Sequence, residues 1–454
     1  MGAVLITDLT AGLVESALAA ATRLPEAEER TRQCLVDWIS VILAADTAEG
    51  ARLLPAIPEA GGATDVLAGA VVRVADAAFA NAYHAHLLDF DDVHLDLPGH
   101  SGAPVIAAAL AVAERDGTDL ETLLAGIVAG VEVAAALGRT VGDDLFRLGW
   151  HPTAVFGTVG AAVAAAHVSV AGADRVRISN AAALGALQAS GAMAGFGSIG
   201  KPWQVGEAAR KGVIAADAAA RVPGRLPDHL GGERGVLALM ARRTEAPVLA
   251  TSTWEPAITG TQFKSYSTCF GTHAAIDAAV RIGRELGGSE TVATVGVRVG
   301  PDFENVVINP APATELEAKF SASAVVALAL MDRPPIDPQF FQAASDLDEY
   351  QRLERATTVR ADHAVAGAGA VVEVTTDSGA VLEVALDEQG PRPPAAARPD
   401  LVAKYLALAV PVLGEDRAEL MLDLIETAPL TSPVRAFVAA LRIRPAASAL
   451  GRDA

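Results

Sequence analysis

Cysteine is almost missing from this chain. Cys34 and Cys269 are the only two in 454 residues, and neither sits in a CxxC or other metal-ligand spacing. A disulfide framework is thereby disfavoured, and a reducing, cytoplasmic setting is the default expectation. Aromatic residues are scarce at 4%, against a hydrophobic content of 51%, so the core must be built from Ala, Val and Leu. Small side chains let helices approach closely, which points to a helix-rich body. Positive charge is also short: 35 Lys plus Arg face 55 Asp plus Glu, a formal net charge of −20. Nucleic acid and membrane surfaces are disfavoured as partners, because both require basic surface. A small anionic substrate needs only a few local cations and stays open. The N-terminus has no basic stretch and is broken by Asp8 and Glu15, so no signal peptide is expected. No apolar run reads as a membrane span. No GxSxG occurs, and GFGSIGK (195–201) is too closely spaced for a phosphate loop.

What the chain does have is a dense titratable stretch. Asn81 to Pro104 packs His84, His86, His94 and His100 with Asp89, Asp91, Asp92 and Asp96 into one segment. Asp89 and Asp92, three apart, would share a face if the preceding helix ran on that far. Such a cluster at a helix exit is where acid–base or metal chemistry could be assembled. DDVHLD (91–96) looks like an Asp-rich magnesium motif, but its spacing is DDxxxD and no second motif follows. His94, His100 and Asp96 are a possible transition-metal set at loose spacing. No bound metal is expected.

Helical periodicity runs from Thr7 to about Ala60, then over about 74–88, 103–116, 119–138, 153–171, 174–191 and 206–221. Thr118 to Glu121 and Thr314 to Glu317 read as capping boxes. Gly195, Gly197 and Gly200 predict a loop before Lys201. The character changes near Thr251. TVATVGVRV (291–299) alternates as a strand, and 371–386 reads as a hairpin around Asp377-Ser378-Gly379. Two helices are expected in the same portion, at about 271–286 before the strand and about 314–331 between the strand and the hairpin. PRPPAAARP (391–399) looks like a linker back to helix. The expected fold is mostly α: a large all-α domain made of both chain ends (1–254 and 396–454), with a smaller α+β lid domain (255–395) inserted.

Four segments carry candidate chemistry: the opening cluster, His151 before a helix, Lys201 before a helix, and Lys264, Tyr266 and His273 together. In this order and separation the sequence resembles the MmgE/PrpD family, which includes 2-methylcitrate dehydratase, cis-aconitate decarboxylase and iminodisuccinate epimerase. The resemblance rests on HAHLLDFDD (84–92), GHSGAPV (99–105), GWHPTAVFGTVGAA (149–162), KPWQVGEAARKG (201–212), FKSYSTCFGTHAAIDAA (263–279) and NPAPATELEAKFS (309–321). It implies a helical domain with a lid, an active site in the cleft between them, a homodimer, and no cofactor or metal. It also implies proton transfer beside a carboxylate of a small acid, followed by loss of water, loss of carbon dioxide, or epimerisation. The family's site positions fall on Asp89, His100, His151, Lys201 and Lys264. Tyr266, His273, Thr153, Gln204 and Val93 are the candidate substrate contacts around them.

These residue types suit that chemistry. Removing a proton beside a carboxylate adds charge to an existing anion, and fixed cations such as Lys201 and Lys264 favour it. A neutral His151, with His100 as partner, can take the proton, and Asp89 can orient a histidine or protonate the departing group. Several polar positions common in the family are apolar or neutral here: Ala324, Val93, Gln204 and Phe270. A substrate that is less anionic, or larger and partly apolar, than methylcitrate is therefore expected. A lyase is the leading expectation, an epimerase the alternative, and an inactive binding homologue the third.

Overall fold

The structure is a computed structural model that describes residues 8–443 apart from 49, 52, 54–57, 170–173, 246, 250–254, 288–289, 308 and 389. Asp8 accepts from the Ala11 amide at 2.8 Å and opens α1 (Leu9–Ala21), which α2 (Leu24–Ala44) follows. A small antiparallel ribbon, β1 (Pro58–Asp65) and β2 (Ala70–Val72), leads into α3 (Val74–Leu87). The sequence pattern misses this ribbon because Pro58, Gly61 and Gly62 replace the alternating apolar residues of an ordinary strand. Beyond α3 come β3 (Val93–His94), α4 (Gly102–Asp116), α5 (Leu120–Arg147), α6 (Pro152–Val168), α7 (Arg175–Gln188), α8 (Gly200–Ala219) and α9 (Val236–Met240).

Helix ends correct the sequence reading in detail. Asp119, rather than Thr118, caps α5 by accepting from the Thr122 amide at 3.0 Å, so the expected box is shifted by one residue. The helix then runs to Arg147, well past 138. It is long and apolar enough to cross a membrane by composition, contrary to the expectation, but most of it is buried between α1 and α6. Gly130 and Gly160 let α5 and α6 meet backbone to backbone: a β-carbon on either would lie 2.7 or 2.6 Å from the other's carbonyl oxygen. The expected loop before Lys201 ends one residue earlier, since α8 begins at Gly200 and carries Lys201 in its first turn.

β4 (Thr261–Gln262) pairs antiparallel with β3. A second group of elements follows: α10 (His273–Leu286), β5 (Val292–Val299), α11 (Glu304–Val307), α12 (Glu315–Ala318), α13 (Ala322–Leu330), α14 (Asp348–Ala356), β6 (Thr357–Ala361), β7 (Ala370–Thr376) and β8 (Val381–Leu386). The sheet order is β6-β5-β7-β8, with β5 and β6 parallel and the other pairs antiparallel. Val295, Val297 and Val299 of β5 and Val372 and Val374 of β7 are buried, and α10 covers β7 and β8. The helix expected over 314–331 is broken. Thr314 caps α12 through the Glu317 amide, and Ser321 starts α13 by accepting from the Ala324 amide. Glu317 reaches back to the Ala313 amide rather than to Thr314.

α15 (Pro394–Leu413), α16 (Glu415–Thr427) and α17 (Val434–Leu441) complete the chain. α15 opens inside the stretch read as a linker, because Pro at the first helical position is compatible with helix. Two hydrophobic cores result. The first joins Leu9 to Ile258 with Leu401 to Ile443, and the second spans Cys269 to Val374. The protein is thus mostly α with a small α+β portion. The boundary expected after residue 254 falls outside the described residues.

Candidate active site

α3 stops at Leu87, and Asp89 leaves it with a φ of +51°. That left-handed conformation is uncommon for a residue with a side chain, though Asp tolerates it better than most. It ends the helix, so Asp89 and Asp92 do not share a helical face. Lys264 holds the turned peptide: its ammonium donates to the Asp89 carbonyl at 2.7 Å and to the Thr268 carbonyl at 2.9 Å, and lies 3.3 Å from Asp89 Oδ2. Lys201 pairs with Asp89 Oδ1 from the opposite side, while its ammonium faces the rings of Phe196 and Phe320 at 5.1 and 5.2 Å. Burial pushes the Asp89 carboxyl up, but Lys201 and Lys264 outweigh it and hold the group well below the usual carboxylate range. Burial in turn pulls Lys264 down, against the attraction of Asp89.

Two imidazoles complete the cluster. His100 Nε2 lies 3.5 Å from Asp89 Oδ1, and its Nδ1 lies 3.3 Å from Asp91 Oδ1. The His100 amide donates to Thr153 Oγ1 at 3.0 Å, tying the loop to the start of α6. His151 immediately precedes Pro152, the first residue of α6, and is 1% exposed. Neither ring nitrogen of His151 has a well-aligned partner among the described residues, because the nearby Gln204 amide is aimed at the Ala192 backbone, at 2.7 and 3.0 Å. Burial first, and then the Lys201 ammonium, depress its pKa well below the ordinary histidine value. His151 is therefore neutral at physiological pH.

His86, which sequence reasoning left out of the site, stands behind both imidazoles. Its ring centre is 4.6 Å from that of His100 and 5.7 Å from that of His151, and its Nδ1 meets Asp91 Oδ2 at 2.8 Å. The signal was present in the HAHLLDFDD run but could not be separated from its neighbours. Burial lowers His86 to about 4, although Asp91 opposes the shift. An unfolded His86 takes up its proton near 6.5, whereas the folded ring waits until about 4, so the unfolded state binds more protons between those values and stability falls as pH drops through that window. His86→Gln cannot take up that proton. Between pH 7 and 4.5 the wild type is expected to lose up to about 3 kcal/mol more stability than His86→Gln. Urea unfolding of both proteins across that range checks this, and parallel losses would refute it.

A cavity of about 210 Å³ opens on this cluster between the two cores. Asp89, His100, His151, Lys201 and Thr153 supply polar groups, and Lys201 is the only Lys or Arg among the described lining residues. Val93, Phe196, Phe270, Phe303, Val306 and Phe320 make the remainder largely apolar. The outer acid Asp302 is exposed and pairs with Arg147 of α5 at 3.0 Å, linking the two portions of the chain. Of the predicted positions, Asp89, His100, His151, Lys201, Thr153 and Val93 therefore meet at one cavity. Lys264 lies beneath Asp89 rather than on the lining, where the carboxylate and two carbonyls occupy its ammonium. Gln204 packs against the Ala192 backbone. Tyr266 and His273 line a neighbouring cavity of about 410 Å³, where Tyr266 donates to Asp277 at 2.6 Å.

The metal set considered from spacing is dispersed. His94 Nε2 is bonded to the Ala257 carbonyl at 2.7 Å, and Asp96 pairs with Arg139 at 2.6 Å. The groups that do converge are His86, Asp89, Asp91 and His100, whose ligand-type atoms lie within 4.8 Å of one another. Two ammonium groups already neutralise Asp89 there, and they would repel a divalent ion.

The MmgE/PrpD N-terminal domain model matches residues 14–249, and the MmgE/PrpD C-terminal domain model matches 266–428. The chain belongs to the MmgE/PrpD family. Among curated MmgE/PrpD relatives, human cis-aconitate decarboxylase is 29% identical over 290 residues, 61% of this chain and 59% of that protein. Cis-aconitate decarboxylase of Aspergillus terreus (strain NIH 2624 / FGSC A1156) is 24% identical over 383 residues, 77% of each chain. The mouse protein of the same name is 29% identical over 282 residues, 58% of this chain and 56% of its own length. The match to the mammalian relatives thus spans under two thirds of their length. Lys264, which bonds to the Asp89 carbonyl, falls between the two domain models, the first ending at residue 249 and the second beginning at 266.

Proposed function

We propose that this protein is a lyase of small carboxylic acids that works by moving a proton at carbon. The observation that carries this reading is the pairing, on one cavity, of an ammonium that is the only one among the described lining residues with a neutral imidazole that has no well-aligned partner among them. Lys201 would bind one substrate carboxylate, exchanging part of its contact with Asp89 for the ligand. His151 then takes the proton from the adjacent carbon, and the C–H electron pair passes into the carboxylate held by Lys201. His100, backed by Asp89 and Asp91, returns a proton to the departing group. In dehydration a C–O bond breaks and hydroxide leaves with that proton as water. In decarboxylation the C–C bond breaks in place of the C–H bond, its electron pair passes toward the held carboxylate, neutral carbon dioxide leaves without a proton, and a protonated His100 delivers its proton to the carbon left behind.

The apolar walls favour the second outcome. A carboxylate away from Lys201 would lie against Phe270 and Phe303 and lose hydration, and its departure as neutral carbon dioxide relieves that cost. The names of the mammalian and fungal relatives support the same reaction class. The scarcity of cations supports a substrate with one anchored carboxylate and an apolar remainder. A second reading, epimerisation, is favoured by the presence of both His100 and His151 on the lining, since two acid–base groups are what inversion requires.

NMR of the full chain in heavy water with a panel of unsaturated and hydroxylated mono-, di- and tricarboxylates separates these readings. Release of carbon dioxide with deuterium uptake at carbon, or release of water with loss of the C–H proton, is expected. Uptake with inversion and no release would replace the lyase by an epimerase, and neither uptake nor release with any member of the panel would sink both.

A further inference from the structure

The neighbouring cavity of about 410 Å³ touches the first one, because Phe270 and Glu388 line both. Arg30 of α2 lines it and is only 2% exposed. Among the described residues no carboxylate lies within ion-pairing distance of this guanidinium. Among the described residues its one hydrogen bond runs from Nη2 to the Arg392 carbonyl, and its Nε has no partner there. The group lies 5.4 Å from the Phe263 ring, which covers one side without neutralising it. Gln262 Nε2, on the same lining, is a second buried donor without an acceptor among the described residues, and His273 Nε2 is a further polar atom without a partner among them.

A buried guanidinium keeps its proton, so an anion is what it lacks. Acids on the lining do not supply one. Asp277 accepts from Tyr266, Glu388 accepts from the Ala368 amide at 2.8 Å, and Asp387 is exposed. Arg392 pairs with Asp400 at 2.7 Å, and Arg281 is exposed, so the unmatched charge is that of Arg30. The planar fork of a guanidinium fits the two oxygens of a carboxylate.

We propose that this second cavity is a carboxylate-binding subsite built on Arg30, with Gln262 as the second donor. The carboxylate belongs either to the far end of an elongated substrate reaching past Phe270, or to a separate small acid bound beside the reaction cavity. The first source rests on the lyase reading above; the binding itself does not.

Calorimetric titration of the full chain with glutarate tests this without requiring turnover. Arg30→Met is expected to weaken a binding event about tenfold or more, the loss of one charge-assisted hydrogen-bonded contact. Two events in the wild type, one lost in Arg30→Met and the other in Lys201→Met, identify two separate molecules. One event weakened by both substitutions identifies a single ligand spanning the cavities. Unchanged binding in Arg30→Met overturns the subsite. Should that variant fail to fold by circular dichroism, Arg30→Lys and Gln262→Leu carry the same test, and wild-type affinity in both overturns it. If glutarate binding depends on Arg30 while no acid exchanges deuterium or is turned over, the subsite stands and the lyase reading falls.

Discussion

His151→Gln is expected to lower kcat by about 10²- to 10⁴-fold, the usual contribution of a positioned general base or acid. The ring is buried, neutral and without well-aligned partners among the described residues, so its loss removes the proposed base while leaving Lys201 to bind the carboxylate. KM is therefore expected to change far less than kcat. The wild-type pH profile adds a second readout. His151 must be unprotonated to act as a base, so kcat/KM falls as pH drops through its pKa. Burial and Lys201 hold that value well below 6.5 in the free protein, which places the acid limb below the range of an ordinary histidine. Steady-state kinetics over pH 4.5–8 measures both effects. A kcat within about threefold of wild type would assign the proton transfer to another group.

Asp89→Asn is expected to cost about 3–5 kcal/mol of stability, the range for removing one partner of a buried ion pair. Lys201 and Lys264 reach the carboxylate from two sides, and all three side chains are nearly inaccessible, at 5%, 0% and 4% exposure for Lys201, Lys264 and Asp89. An amide leaves the two ammonium groups facing each other with no counter-charge between them. The folded carboxyl is held well below its ordinary 3.8, so the wild type keeps this contribution through neutral and mildly acid pH and loses it progressively as pH falls from that ordinary value toward the depressed folded one. Denaturant unfolding at pH 7 gives the size. Combining Asp89→Asn with Lys264→Met is expected to recover part of the loss, because one of the repelling charges is gone. An Asp89→Asn protein as stable as wild type would mean that the triad does not hold the loop.

Much of this was legible in the residues. The helix ending near Leu88, the strand over 292–299 and the hairpin around Asp377 to Gly379 follow from periodicity and turn residues that tertiary contacts do not override. The convergence of Asp89, His100, His151 and Lys201 was accessible through the order of their motifs. What stayed hidden depends on direction rather than identity. Nothing in the sequence says that Asp89 turns left-handed and thereby draws Lys264 beneath it, out of the cavity. Nor does it say that His86 and Asp91 share a hydrogen bond, since every residue of that run is equally eligible. Gly200 was read as loop because three glycines precede Lys201, yet the last of them is the first residue of α8. The Pro-rich stretch at 391–399 read as a linker because proline at a helix start and proline in a connector look alike in one sequence.

The first core draws on residues at both ends of the described chain, with Leu401, Tyr405, Ile425 and Phe437 packed among side chains from the opening helices. During synthesis those opening helices leave the ribosome long before their final neighbours exist. The larger body must wait, with apolar faces uncovered, until the sheet-bearing portion has been made and the last helices emerge. The protein's most exposed moment is therefore late in translation, and the α2–α15 seam is where premature release or a C-terminal nonsense mutation would leave greasy surface for chaperones or aggregation to find.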